Sequence, residues 1–230
     1  MYAIQANKLT KQFGKTTAVN ELTLQIKPGE LYGLLGPNGS GKTTTMKLLT
    51  GELKPTSGES SINDTPSTNQ QAIKKQTGIV PEQETPPSFL TAREYLDFVA
   101  NIREVNQETI EEWIDKLELR AEQHTLTKDL SRGTRQKLML AQAFMHEPPV
   151  AFIDEPLINL DPKAQKTIKD YLQAYTKKGN TILLSTHVLS IAQEICTRVG
   201  VINKGKKIYE ADKKELQTKN LEETFLQLTT

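Results

Sequence analysis

The stretch Leu31-Tyr32-Gly33-Leu34-Leu35-Gly36-Pro37-Asn38-Gly39-Ser40-Gly41-Lys42-Thr43 passes from an apolar run into a glycine-rich loop that ends on a lysine and a hydroxyl. The apolar run follows the turn Lys27-Pro28-Gly29-Glu30 and fits a parallel strand buried on both faces. Residues 36–43 match G-x-x-x-x-G-K-[ST], and a helix is expected over about 42–50. Each part has a chemical purpose. Glycines let the backbone fold tightly around phosphate oxygens and aim several N–H groups inward. The helix adds the positive end of its dipole. Lys42 brings a point charge to the β- and γ-phosphates of a nucleotide, and the Thr43 hydroxyl can ligate Mg²⁺.

That chemistry needs an acidic partner. Val150-Ala151-Phe152-Ile153-Asp154-Glu155 supplies one as an apolar strand ending in two carboxylates. In open α/β sheets ligands gather at the carboxyl ends of parallel strands, where the loop after Leu35 also lies. Asp154 is expected to hold Mg²⁺ directly or through water, and Glu155 to accept a proton from the attacking water. Taken alone, Asp-Glu before Pro156 could equally cap the next helix.

Working outward, residues 3–9 and Leu22-Leu24-Ile26 alternate apolar and polar, as half-buried strands do. Residues 63–71 read as a polar loop, and Gly78-Ile79-Val80 as a short buried strand. Over 91–146 the period changes. Glu94, Leu96, Phe98 and Val99, then Ile110, Trp113, Ile114 and Leu117, recur at helical spacing. Strand signals return at 150–153 and 181–184, with an amphipathic helix over about 163–178 between them. Residues 199–209 read as a hairpin turning at Lys204-Gly205, and the tail from Lys213 as a polar helix or two. The expected fold is α/β, a P-loop nucleoside-triphosphatase core with a mostly parallel sheet. That core spans about 1–83 and 147–212, with an antiparallel β part on its N-terminal side, an inserted helical subdomain over about 84–146 and a tail at 213–230.

Leu130-Ser131-Arg132-Gly133-Thr134-Arg135-Gln136 narrows the choice among P-loop proteins. It precedes the Asp-Glu pair, opens a helix, and resembles the LSGGQ signature of the ABC ATPases. Leu160-Asp161-Pro162 resembles their D-loop, and Ser185-Thr186-His187 at a strand end resembles their H-loop. Phe13 stands where the family places the aromatic residue that stacks on adenine, with Tyr2 and Tyr32 as the next candidates. Order and spacing agree over about 4–211, nearly the whole chain.

The resemblance implies an ATPase subunit of an ABC transporter, with ATP and Mg²⁺ as cofactors. It places ATP against Phe13, Val19, Gly36, Pro37, Asn38, Gly39, Ser40, Gly41, Lys42, Thr43, Thr44, Glu82, Gln83, Ser131, Gly133 and Asp161. It gives the metal to Thr43, Asp154 and Glu82, and catalysis to Glu155, His187 and Lys42. Ser131 and the Gly133 N–H, at a helix N-terminus, can bind phosphate. In the family they meet the γ-phosphate held by the partner subunit, so two chains pack head to tail around two ATP molecules. The likeness of residues 41–49 and 154–157 is to export-type subunits, with a cleft between residues 82–90 and the helical block as the permease's docking surface. Pro86, Pro87, Ser88 and Phe89 would form its stiff apolar tip.

There are departures. Arg132 and Thr134 stand where a glycine and a glutamine are usual. Glu82 follows Pro81 where the Q-loop has glutamine, with Gln83 next. Leu157-Ile158-Asn159 replaces the usual small residues before the D-loop.

Composition sets the outer limits. Lys plus Arg number 29 and Asp plus Glu 28, which lacks the basic footprint of a nucleic-acid-wrapping protein. The single cysteine, Cys196, excludes an internal disulfide and reads as a small core residue, the usual picture for a reducing cytoplasm. No apolar run is long enough to span a bilayer and the first residues lack a signal-peptide core. A membrane role would therefore come through a separate permease, at the inner face of the cell membrane. The rival class is a soluble ABC ATPase acting on nucleic acid or ribosomes. Such proteins carry two cassettes or a long coiled-coil insertion, and neither pattern is present. A module that binds ATP without hydrolysis would not need both Glu155 and His187. His124 and His146 read as surface or core histidines.

Overall fold

The computed structural model describes residues 1–83, 86–155, 157, 160–218 and 221–229 of the chain. Pro156, Ile158 and Asn159, noted above before the D-loop, lie outside the described residues.

β1 (Ile4–Phe13), β2 (Thr16–Ile26), β4 (Ser57–Ile62) and β5 (Thr65–Pro66) form an antiparallel sheet of order β2-β1-β4-β5. The second sheet has the order β10-β9-β3-β8-β7-β6, from β3 (Leu31–Leu35), β6 (Thr77–Val80), β7 (Val150–Asp154), β8 (Thr181–Thr186), β9 (Arg198–Asn203) and β10 (Lys206–Asp212). Its pairings are parallel except for the β9–β10 hairpin. The helices are α1 (Lys42–Leu49), α2 (Gln70–Gln76), α3 (Ala92–Arg103), α4 (Gln107–Lys116), α5 (Arg132–Phe144), α6 (Pro162–Lys177), α7 (Leu189–Ile195), α8 (Lys213–Thr218) and α9 (Leu221–Thr229).

Period-two alternation divides the core. Tyr32, Leu34, Phe152 and Leu183 pack toward the antiparallel sheet and α1, while Leu31, Leu35, Ile153 and Leu184 pack with Leu96, Trp113, Phe144 and Ile168 of α3 to α6. Both faces of β3, β7 and β8 are therefore covered, which is why these strands read as unbroken apolar runs. Their carboxyl ends converge on one edge, and the site lies there.

Three expectations change. Residues 63–71 are not one loop: they contain β5, and Asn69 caps α2 by accepting from the Ala72 N–H. Phe98 is not core. The buried positions of α3 are Ala92, Tyr95, Leu96 and Ala100, so Phe98 falls on the outer face and is 53% exposed. Tyr32 is fully buried, with its hydroxyl donating to Glu210 Oε1 at 2.7 Å, and so is withdrawn from any contact with adenine. His146 does sit in a half-buried niche against the Thr77 carbonyl, where burial pushes its pKa down to about 4 and keeps it neutral.

The entry to α3 and the approach to α5 are laced together. Thr127 N–H donates to the Leu90 carbonyl at 2.9 Å and its hydroxyl to the Pro87 carbonyl at 2.6 Å. Ala92 N–H donates to Thr125 and Arg93 N–H to Gln123, and Thr91 bridges Leu126.

Candidate functional site

The chain leaves β3 at Leu35, turns through residues 36–41 and re-enters helix at Lys42. Gly41 holds the N-cap at φ 109°, and a Cβ there would meet the Ala18 carbonyl oxygen at 2.4 Å. A Cβ on Gly36 would lie 2.4 Å from the Ile202 carbonyl oxygen. Glycine is required here by the close approach of β2 and β9. No side chain caps α1, so its first N–H groups face the loop as an anion site. Lys42 is nearly buried, and its ammonium donates to the carbonyls of Gly36 at 2.8 Å and Pro37 at 3.3 Å.

β7 delivers both carboxylates to the same edge. Asp154 is 4% exposed, and both of its carboxylate oxygens are hydrogen-bonded. Thr43 Oγ1 donates to Asp154 Oδ2 at 2.8 Å, and Ser185 Oγ donates to Oδ1. Glu155 adopts φ 51°, a left-handed conformation that costs a non-glycine residue about 1–3 kcal/mol. Its carboxylate accepts from Thr186 Oγ1 at 3.0 Å, from the His187 N–H at 3.0 Å and from His187 Nδ1 at 2.7 Å. A carboxylate only accepts, so Nδ1 carries the proton in this pair.

A cavity of about 250 Å³ gathers Asn38, Gly39, Gly41, Lys42, Thr43, Thr44, Glu82, Asp154 and Glu155, with Ala18 on its far wall. Gly36, Pro37 and Ser40 belong to the loop but do not line that space. Val19 does not line it either: its side chain is fully buried in the core, and alternation along β2 turns Ala18 to the cavity instead. Phe13, at the end of β1, keeps half its surface exposed, with Lys11 Nζ 5.1 Å from the ring centre. Phe13→Ala is expected to weaken ATP binding by about 1–3 kcal/mol, the scale of base–aromatic stacking, with the fold intact by circular dichroism. Unaltered affinity in an ATP titration would assign the base to another residue.

A second cavity of about 400 Å³ adjoins the first through Thr43, Glu82 and Asp154, and Gln83 lines only this one. Glu82→Ala should therefore cost more Mg²⁺-dependent turnover than Gln83→Ala, measured side by side by phosphate release. A loss confined to Gln83 would shift the Q-loop register by one.

Ser131, Gly133 and Asp161 stand apart from this cavity. Ser131 caps α5, accepting from the Thr134 N–H at 3.1 Å and sharing a 2.8 Å hydrogen bond with the Thr134 hydroxyl. Thr134 thus completes a turn-like cap where glutamine is usual, and Gly133 lies in the first turn of the helix. Asp161 caps α6 through the Ala164 N–H at 2.9 Å and lies 3.9 Å from Lys137 of α5. Ala18 escaped the sequence reading, its one signal being its place beside Val19 on an alternating strand. Ser185 and Thr186 are named there only as part of the H-loop likeness, without a role of their own.

Comparison with known proteins agrees with this geometry. Residues 19–158 match the family model described as ABC transporter. The chain is 36% identical over 222 residues to the bacitracin transport ATP-binding protein of Enterococcus faecalis, covering 95% of this chain and 72% of the relative. It is 33% identical to the Nod factor export ATP-binding protein I of Paraburkholderia xenovorans, covering 90% and 70%. Among solved structures, an ATP binding subunit of an ABC transporter superposes with TM-score 0.91 at 27% identity, covering 99% of this chain and all of that one. A dimeric cassette bound to ADP and phosphate after hydrolysis superposes with TM-score 0.84 at 25% identity, covering 91% and 98%. With its motifs in order, its carboxylates at the loop and this likeness along nearly its whole length, the chain belongs to the ABC transporter family, as an ATP-binding and ATP-hydrolysing subunit.

Proposed function

We propose that this subunit drives a separate membrane permease, in the export direction, through a head-to-tail ATP sandwich. The observation that carries the reading is the meeting of Thr43, Asp154 and Glu155 at the phosphate loop, on one edge of the sheet, with His187 hydrogen-bonded to Glu155 behind them. Lys42 and the N-terminus of α1 take the phosphates, and Phe13 takes the adenine. Mg²⁺ fits the donor set: the Thr43 hydroxyl and the Asp154 carboxylate are hard oxygen donors already in contact, with Glu82 on the same cavity. Held there, the metal would supply neutralisation of the charge on the phosphates. Glu155 accepts the proton of the attacking water, and His187 orients Glu155 through Nδ1.

Ser131 is exposed at the N-terminus of α5, which suits it and the Gly133 N–H to the partner subunit's ATP. Asp161, beside Lys137 of the same helix, joins that interface. The dimeric relatives support the sandwich, and the relative named for Nod factor export supports the direction.

Among the described residues no helix is long and apolar enough to cross a membrane. The permease is the membrane part, and it holds this chain at the inner face. Phe89, Phe98 and Ile102 are 76%, 53% and 63% exposed, and the last two lie one turn apart on α3. They offer the apolar surface on which it docks. In this reading nucleic acid is not a partner.

The test is co-expression with a candidate polytopic membrane protein drawn from the genes that flank the one encoding this chain. Copurification is expected, and Phe98→Asp with Ile102→Asp should release the membrane protein without changing the free chain's affinity for ATP. Copurification indifferent to those changes would move the docking surface elsewhere. Association with ribosomes or DNA in place of a membrane protein would favour the soluble rival.

A further inference from the structure

We infer that Ser185 is a positioning residue for the metal carboxylate: its buried hydroxyl pins one oxygen of Asp154 and so presents the other to the Mg²⁺ of bound ATP. The inference rests on the reading that Thr43 and Asp154 hold that metal. The two oxygens of Asp154 have different partners, Ser185 on Oδ1 and Thr43 on Oδ2. Ser185 is fully buried and Asp154 nearly so, which leaves bulk water a poor substitute for the hydroxyl.

The backbone fixes the donor. Asp154 and Ser185 are register partners in the parallel pair of β7 and β8, and the Glu155 N–H donates to the Ser185 carbonyl at 3.0 Å. A carboxylate's terminal torsion is broad and two-fold on its own, so an oxygen without a fixed partner is poorly aimed. Thr43 cannot supply this aim, because its hydroxyl is the group that turns to the metal. Thr186 cannot supply it either, since its hydroxyl goes to Glu155 Oε2 at 3.0 Å. Consecutive hydroxyls of β8 thus serve consecutive carboxylates of the β7 end, one each. Hydrogen-bond partners of metal ligands typically govern affinity by about 10–100-fold.

The experiment titrates ATP binding to the chain with excess Mg²⁺ and again with EDTA, for the parent, Ser185→Ala and Asp154→Asn. Ser185→Ala is expected to bind ATP in EDTA within about twofold of the parent, while its gain from Mg²⁺ shrinks about tenfold or more. Asp154→Asn should lose most of that gain. A gain intact in Ser185→Ala but lost in Asp154→Asn overturns the role of Ser185 and leaves the metal reading standing. A gain intact in both overturns the metal reading and the inference with it. Equal losses with and without Mg²⁺ in Ser185→Ala would show a hydroxyl that supports the fold rather than the metal, which also overturns it. If Ser185→Ala does not fold, Ser185→Cys keeps a polar group there as a weak donor, and the same shrinkage of the Mg²⁺ gain is expected.

Discussion

Glu155→Gln is expected to turn over ATP about 10²–10⁴-fold more slowly than the parent chain while binding it as tightly. Binding rests on Lys42, Thr43, Asp154 and the helix N-terminus, and none of these touches the substituted atoms. The amide is nearly isosteric with the carboxylate, and the local hydrogen bonds accommodate it. Its oxygen can still accept from the His187 N–H and Nδ1. Its nitrogen can donate to Thr186 Oγ1, an atom that already accepts from the Val188 N–H at 3.1 Å. The left-handed backbone at φ 51° is no harder for glutamine than for glutamate. What disappears is the proton acceptor. With hydrolysis slowed, ATP should hold two chains together, which light scattering with and without ATP would register beside a phosphate-release assay. A variant that stays monomeric with ATP counts against the sandwich for the isolated subunit. Near-normal hydrolysis would remove Glu155 from the chemistry.

Lys42→Ala should cost ATP affinity by two orders of magnitude or more. Charge-assisted hydrogen bonds contribute about 1.5–3 kcal/mol each, and bonds to two phosphates together correspond to roughly 10²–10⁴ in Kd. The ammonium now rests on the Gly36 and Pro37 carbonyls, so it stays close to the loop and needs only to exchange partners. The fold should survive, because Ser40 N–H still donates to Pro37 at 3.1 Å and Gly205 N–H to Ser40 at 2.9 Å. Calorimetric titration with ATP, paired with circular dichroism, reads the effect. Unchanged affinity would take the lysine out of the site.

The sequence spoke most clearly where one chemistry dictates one residue type. Gly36 and Gly41 could be named from the sequence because no side chain fits beside Ile202 and Ala18. Asp154 and Glu155 could be named because buried strands rarely end in two acids without a purpose. The hairpin at Lys204-Gly205 could be read because both residues take positive φ, 48° and 76°, as a tight primed turn requires. β4 was missed for the opposite reason. Ser57-Gly58-Glu59-Ser60-Ser61-Ile62 has the composition of a loop and buries only Ser60 and Ile62, and it becomes a strand because β1 offers it a partner edge. The resemblance places ATP against Val19, whereas alternation along β2 turns Ala18 to the cavity. The H-loop likeness names Ser185 and Thr186 but not what they hold, since their acceptors lie 31 positions away in the chain.

The lacing of Pro87, Leu90, Ala92 and Arg93 to residues 123–127 closes the chain into a ring around α3 and α4. Polymer statistics make such a ring forgiving. Once its neck is held, doubling the length of the enclosed chain costs only about 0.6 kcal/mol of closure entropy. Provided that the buried positions of the ring, from Tyr95, Leu96 and Ala100 to Ile110, Trp113, Ile114, Leu117 and Leu119, keep their places in the core, its exposed positions can be rewritten at little thermodynamic expense. The exposed Phe98 and Ile102 ride on that ring, whereas every residue that holds phosphate in the cavity lies outside it. In the proposed docking, a new membrane partner would be met by editing the exposed face of this ring while the phosphate site stays unaltered.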